Sequence, residues 1–323
     1  MTDFISKRLE NIDRNYFING DMRYFQRCGI NGSFNTQTAP YTSADRFKTF
    51  ASSFVGPLTE GAQAVGNPEK FERSIQIAGE NAAISSITVG QAIESVFAKD
   101  LDGEELSFKF WFKTAIYQQA TVQVLEPSLQ DNYGTAPVIY QQIFNIENDD
   151  TWRNISIEQF LPAGTTVRGI EVRVTFFDVA SFGSNVEQLR TTGWQLNKGK
   201  LKEFSLFGRD EADELDYCRR YFEKSYDIDV SLGASDADGQ MVHQGAFSGG
   251  NGGNLPVNFK TRKRGKPVVI PYATDGTTGR VTVNAGTVVA SSISIGENSA
   301  TVNMDIGFNW FFMQFQWSAD VEI

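Results

Sequence analysis

The sequence predicts an all-β protein: a large β-sandwich, a short helix, and then a second, smaller β-sandwich, with another short helix at the start. Three observations predict it. Apolar residues alternate with polar ones in several segments, the period of a strand with one buried face. Aromatic residues make up 13% of the 323 residues, 26 of them Phe, beside 29 Gly and 9 Pro, a weighting that favours strands and turns. Helical spacing of apolar residues stands out in only two short stretches.

The first of these is residues 1–14, where Ile5, Leu9 and Ile12 fall on one face of about three turns. A helix this short needs a partner for its stripe, either its own domain or copies in other subunits. Residues 15–209 read as short strands and turns. Tyr16 to Met22 looks like a strand ending in the turn dipeptide Asn19-Gly20. Leu106, Phe108, Phe110 and Phe112 alternate with Ser107, Lys109, Trp111 and Lys113. Val122 and Val124 repeat that pattern, as do Ile170, Val172, Val174 and Phe176. Strands separated by polar loops point to a sandwich, not a βαβ sheet.

Residues 210–224 carry the second helical pattern, with Leu215, Cys218 and Phe222 on one face. Acidic residues crowd its start and Arg219, Arg220 and Lys224 its end, as the macrodipole favours. Residues 225–323 return to strands around Val257, Val268 to Ile270, Val281, Ile293, Val302 to Phe308 and Phe311 to Trp317. Between them, Gly245 to Asn254 has the composition of a flexible loop.

Charge and composition exclude several functions. With 29 basic and 39 acidic residues, a formal charge of −10 and a pI near 4.8, the surface repels phosphate backbones, so nucleic acid is not an expected partner. One histidine, His243, rules out multi-histidine zinc sites. Cys28 and Cys218 read as buried free thiols of a reducing compartment. No apolar run suggests a signal peptide or a membrane span. Carboxylate pairs such as Asp149-Asp150, or Asp236 with Asp238, are what 39 acidic residues produce by chance. Neither a nucleophile elbow nor a phosphate loop occurs, so no enzyme is expected. A polysaccharide depolymerase would need a cleft with two close carboxylates.

Several segments, in order, resemble a family of bacteriophage tail-fibre and other virion structural proteins. They are Asn15 to Arg27, Tyr41 to Phe47, Leu106 to Lys113, Leu215 to Tyr226, Phe259 to Pro267, and Phe315 to Ile323. Glu203 to Arg209 departs from the family pattern before the closing helix. The resemblance implies a jelly-roll domain akin to carbohydrate-binding modules, often trimeric, made in the host cytoplasm and built into the virion. Its expected partners are sister chains as a homotrimer, other virion proteins and host-surface glycan. Host attachment as a tail-fibre component is the leading function, with a purely structural head-decoration or head-fibre role as the alternative and a polysaccharide depolymerase as the second.

Candidate residues follow. Trp111 lies opposite the Phe108–Phe112 face and is the first choice for stacking on sugar. Tyr117 and Trp194 are further choices, and Trp152 is a weaker one. No cofactor is expected; by analogy with the family, Asp21 is the ligand for a possible structural calcium ion. Ile5, Leu9 and Ile12 are the candidate oligomer or attachment contact. Lys260 to Lys266 is read as a basic strand whose charges protect a sheet edge.

Overall fold

The computed structural model describes residues 14–29, 33–35, 41, 44–52, 58–68, 70–79, 85–179, 186–235, 238–247, 253–284, 286–304 and 310–322. Ile5, Leu9 and Ile12, with nearly all of the expected first helix, lie outside them.

The larger unit is a two-layer antiparallel sandwich. One sheet contains β1 (Ser33–Asn35), β3 (Leu58–Gln63), β4 (Ser74–Gly79), β11 (Val186–Lys198), β6 (Leu106–Lys113) and β9 (Arg153–Phe160), in that spatial order. The other contains β2 (Lys48–Ser52), β5 (Ser86–Ile93), β10 (Ile170–Val179), β7 (Tyr117–Leu125) and β8 (Val138–Asn145). The blocks β4-β11-β6-β9 and β5-β10-β7-β8 have the crossing pattern of a jelly roll. Between β5 and β6 the chain makes a short helix, α1 (Ser95–Ala98), that no apolar period announces.

Alternation does what the sequence predicts in β6 and β10. Phe108, Phe110 and Phe112 are buried while Lys109, Trp111 and Lys113 are half-buried on the other face. Across the core, the Phe176 ring sits 6.2 Å from Phe110 and 5.6 Å from Phe112. Ile75, Ile77, Val89, Val122, Val172 and Val174 fill the space around them. Apolar burial of this kind is the main driving force of the fold.

The segment from Tyr16 to Met22 is a folded turn, not a strand. Asn19 adopts a φ of 59°, and its side-chain oxygen accepts from the N–H groups of Arg23 and Tyr24, both at 2.9 Å. A Cβ on Gly20 would lie 2.3 Å from the carbonyl oxygen of Trp194, so only glycine lets the turn dock there. The Asn-Gly pair thus serves a tertiary contact in place of a hairpin.

The helix α2 spans Glu211–Arg219, shorter than its sequence pattern. Asp210 caps it by accepting from the Asp213 N–H at 2.9 Å. Phe222–Lys224 then becomes strand β12, pairing with the last strand. This extension takes Glu223 into the interior, where Lys263 meets it; a further helical turn would leave β12 without its ladder.

The smaller unit is one curled sheet around its own core. Its strands are β12, β13 (Met241–Phe247), β14 (Gly253–Asn258), β15 (Val268–Tyr272), β16 (Arg280–Val283), β17 (Gly286–Ile295), β18 (Ser299–Met304) and β19 (Trp310–Asp320). The long β19 pairs with β12 and β15 towards its end and with β13 and β16 towards its start. The loop expected over Gly245 to Asn254 is strand at both ends: Gly245 to Phe247 belong to β13 and Gly253 and Asn254 to β14. Val257, Val281, Val302, Met313, Phe315 and Trp317 form the core.

A charged seam joins the two units. Arg46 is fully buried, bonds Glu322 and the carbonyl of Ala92, and lies 3.4 Å over the Tyr221 ring. Arg27 bonds Asp320 at 3.0 Å and lies 4.0 Å over Phe222. Glu94 accepts from Arg220 at 3.0 Å and from Arg264 at 2.7 Å. The basic run around Lys263 is thus not an edge strand. Lys263 pairs with Glu223 and Arg264 with Glu94 inside the molecule, while Arg262 pairs with Glu297 at the surface.

Candidate functional site

The outer face of the six-stranded sheet carries a groove of about 500 Å³. Its floor comes from β6 and β11 and its walls from two loops. Lys109 and Trp111 rise from β6, two residues apart and therefore on one face. Gly193 and Gln195 come from β11, Trp152 from the approach to β9, and Phe71 and Phe204 from the loops.

A bulge in β11 shapes the floor. The register shifts between Thr192 and Gln195, with Gly193 at a φ of 65°. A Cβ there would meet Phe71 at 2.5 Å and Trp111 at 2.9 Å. Glycine is what allows these two rings to close over the strand. Phe71 in turn meets Phe204 edge to face, 4.9 Å between ring centres.

Side chains from the sheet hold the walls. Arg190 on β11 donates to the carbonyl of Val65 at 2.7 Å and to the Asn67 side chain at 2.5 Å. Trp152 donates its indole N–H to the carbonyl of Gly66 at 2.5 Å, while the Arg190 guanidinium lies 5.2 Å over its ring. Gln195 donates to the carbonyl of Glu203 at 2.9 Å, fixing the loop that carries Lys202, Glu203 and Phe204. At the rim Lys70 pairs with Glu203 at 2.8 Å, and this contact holds the Glu203 carboxyl below its usual range. Apolar rings with a few convergent polar groups, on a rigid sheet, are the features of a small-ligand site.

The structure separates the candidate residues. Trp111 and Trp152 meet in the groove, both half-buried. Trp194 does not: it is fully buried, 5.6 Å from Phe17 and 5.3 Å from Phe47, and donates to Thr191 Oγ1 at 2.7 Å. Tyr117 is also a core residue, fully buried beside Phe176, and burial pushes its hydroxyl pKa up. Neither can stack on a sugar. Asp21 has Arg23 on its Oδ2 at 3.0 Å, while its buried Oδ1 has no hydrogen-bond partner among the described residues. Burial raises its pKa against the pull of Arg23. Among the described residues, no group of three or more His, Cys, Asp or Glu side chains is placed to hold a metal.

Phe71, Phe204 and Gly193 are not marked by alternation. The one local signal is Gly193 inside a strand, the mark of a bulge or a close approach.

No family model and no curated protein matches the chain, so the ordered motifs have no matching model behind them. Among solved structures, it is similar to the enzymatically active domain of tailspike protein 4 of bacteriophage CBA120, at 16% identity and a TM-score of 0.34. That match covers 58% of this chain and 21% of the tailspike chain. The C-terminal family 22 carbohydrate-binding module of Clostridium thermocellum Xyn10B is similar at 11% identity and a TM-score of 0.32, over 54% of this chain and 97% of that one. TmCBM61, solved with β-1,4-galactotriose, is similar at 14% identity and 0.32, over 57% and 99%. Scores of this size fix neither a family nor a ligand.

Proposed function

We propose that the chain is a non-catalytic glycan-binding component of a bacteriophage particle, gripping host-surface saccharide through the Trp111–Trp152 groove. The observation that carries the binding half is the groove itself: the rings of Trp111, Trp152, Phe71 and Phe204 line it, with Lys109, Gln195 and Glu203 among them. Flat rings take the C–H faces of a sugar while the amide and charged groups bond its hydroxyls. Among the described lining residues there is one carboxylate, Glu203, and it is tied to Lys70. Glycoside hydrolysis needs two, which supports binding without turnover. The particle half rests on the ordered motif resemblance, as does assembly into a homotrimer.

The test is adhesion of labelled protein to host cells, alongside a Trp111→Ala, Trp152→Ala double variant. Binding by the unmodified chain that the variant loses supports the reading. Adhesion that survives both changes places attachment elsewhere, and no adhesion at all favours the purely structural role of a head decoration.

A further inference from the structure

The groove is charged against the trend of the molecule. The chain carries −10 overall, yet the described lining residues include Lys70, Lys109 and Lys202 with Glu203 alone on the acidic side. The surrounding structure places these charges. Lys109 leaves β6 on the same face as Trp111, its ammonium 5.7 Å from the indole centre. The Gln195 side chain donates to the carbonyl of Lys202 at 3.2 Å as well as to that of Glu203, which sets the backbone of that wall. Lys70 reaches across to Glu203 from the opposite loop. Aromatic rings line the groove, with the Lys109 ammonium beside the Trp111 ring and the Lys70 ammonium on Glu203 at the rim.

We infer that the ligand is an anionic saccharide, one whose sugar rings bear carboxylate, sulfate or phosphate groups. This rests on the glycan reading of the groove. A sugar stacked on Trp111 turns its substituents outward to the lysines. A neutral sugar gains hydrogen bonds there; an acidic one also gains Coulomb attraction. Aromatic rings with lysines beside them also suit single-stranded nucleic acid. The saccharide is favoured because the site is a single pocket of about 500 Å³, whereas single-strand binding needs a groove that follows the backbone over several nucleotides.

The test is an array of oligosaccharides printed in matched neutral, uronate, sialylated, sulfated and phosphorylated forms, with oligothymidylate as a further arm. Hits are followed by tryptophan-fluorescence titration at about 0.05 M and 0.5 M salt. The expected result is binding concentrated among acidic forms, about tenfold tighter than the neutral counterpart at low salt, the advantage vanishing at high salt. The Lys109→Gln, Lys202→Gln double variant loses the advantage, so that acidic and neutral forms bind it with equal affinity. The array arms tell which acidic group is read. A neutral form bound as tightly as its acidic partner overturns this inference and leaves the glycan reading standing. Oligothymidylate bound where no saccharide binds overturns both.

Discussion

The core of the larger sandwich and the seam between the two units are equally closed to water and built of opposite materials. The core is Phe108, Phe110, Phe112, Phe176 and Trp194. The seam holds Arg27, Arg46, Asp45 and Glu94, with the Glu223–Lys263 pair beside it in the smaller unit, each 5% exposed or less. Apolar burial is non-directional and graded, so a core residue is missed roughly in proportion to the volume it leaves. A buried charge is different: it tolerates the loss of its partner far worse than the loss of both. The core therefore supplies stability by degrees, while the seam fixes how the C-terminal tail meets the first sandwich.

The largest expected effects set the two regions side by side. Arg46→Ala strips Glu322 of its fully buried partner, leaving it the longer contact to Arg27 at 3.4 Å, and is expected to cost about 3–5 kcal/mol, read by urea unfolding. Trp194→Ala, which empties the centre of an aromatic cluster, is expected to cost a similar amount, about 3–5 kcal/mol. The core should also show small steps, such as about 0.5–1.5 kcal/mol for Ile77→Val. If Arg46→Ala costs no more than Ile77→Val, the seam is wet and the contrast fails.

A paired replacement sharpens the contrast. Lys263→Met alone leaves Glu223 sealed and unpaired and is expected to cost about 3–5 kcal/mol. Adding Glu223→Leu should restore most of that, leaving a deficit of about 1–2 kcal/mol. The residue of the cost has a source: Glu223 also accepts from the Lys260 N–H at 2.8 Å, and that donor loses its acceptor. A double variant no better than the single one would show that the pair is not coupled.

The next effect is a pH dependence of the seam. Burial pushes the Asp45 carboxyl from 3.8 up to about 7, against the pull of Arg27. The folded state then holds the proton more tightly than the unfolded chain. Its contribution is present below the unfolded value of 3.8 and lost as pH rises through about 7. Glu94 works in the opposite sense: burial alone would raise it, but the bond from Arg220 and the charges of Arg220 and Arg264 hold it low. Its contribution is lost as pH falls. Asp45→Asn mimics the protonated form, so the wild type should lose stability relative to this variant between about pH 4 and pH 7 and level off above. A constant difference across that range would show that Asp45 does not titrate on folding.

These two regions were not equally legible in the sequence. Alternation in β6 and β10 reads out the core directly, and it places Trp111 on the outer face because a strand has only two sides. The bulge at Gly193 breaks that parity, so nothing local tells that Trp194 turns inward. The seam is less visible still. Arg264 pairs with Glu94, 170 residues away, and Lys263 with Glu223, 40 residues away. A run of positive charge on its own looks the same whether it faces water or a distant carboxylate. Asn19-Gly20 teaches the same point, since its partner is the backbone of Trp194.

The smallest expected effect on stability isolates the groove. Trp111 and Trp194 stand on neighbouring strands of one sheet, facing opposite ways, one half-buried and one sealed. Trp111→Ala removes a ring whose outer face already meets water, and Gly193 beneath it leaves no side-chain cavity to collapse. Its cost should stay within about 1 kcal/mol, well short of Trp194→Ala in the same urea series. Saccharide binding should show the reverse order, because only the outer ring presents a face to a ligand. If Trp111→Ala unfolds the chain as readily as Trp194→Ala, then Trp111 is structural mortar between the loops of Phe71 and Phe204, and the groove loses its claim as a binding face.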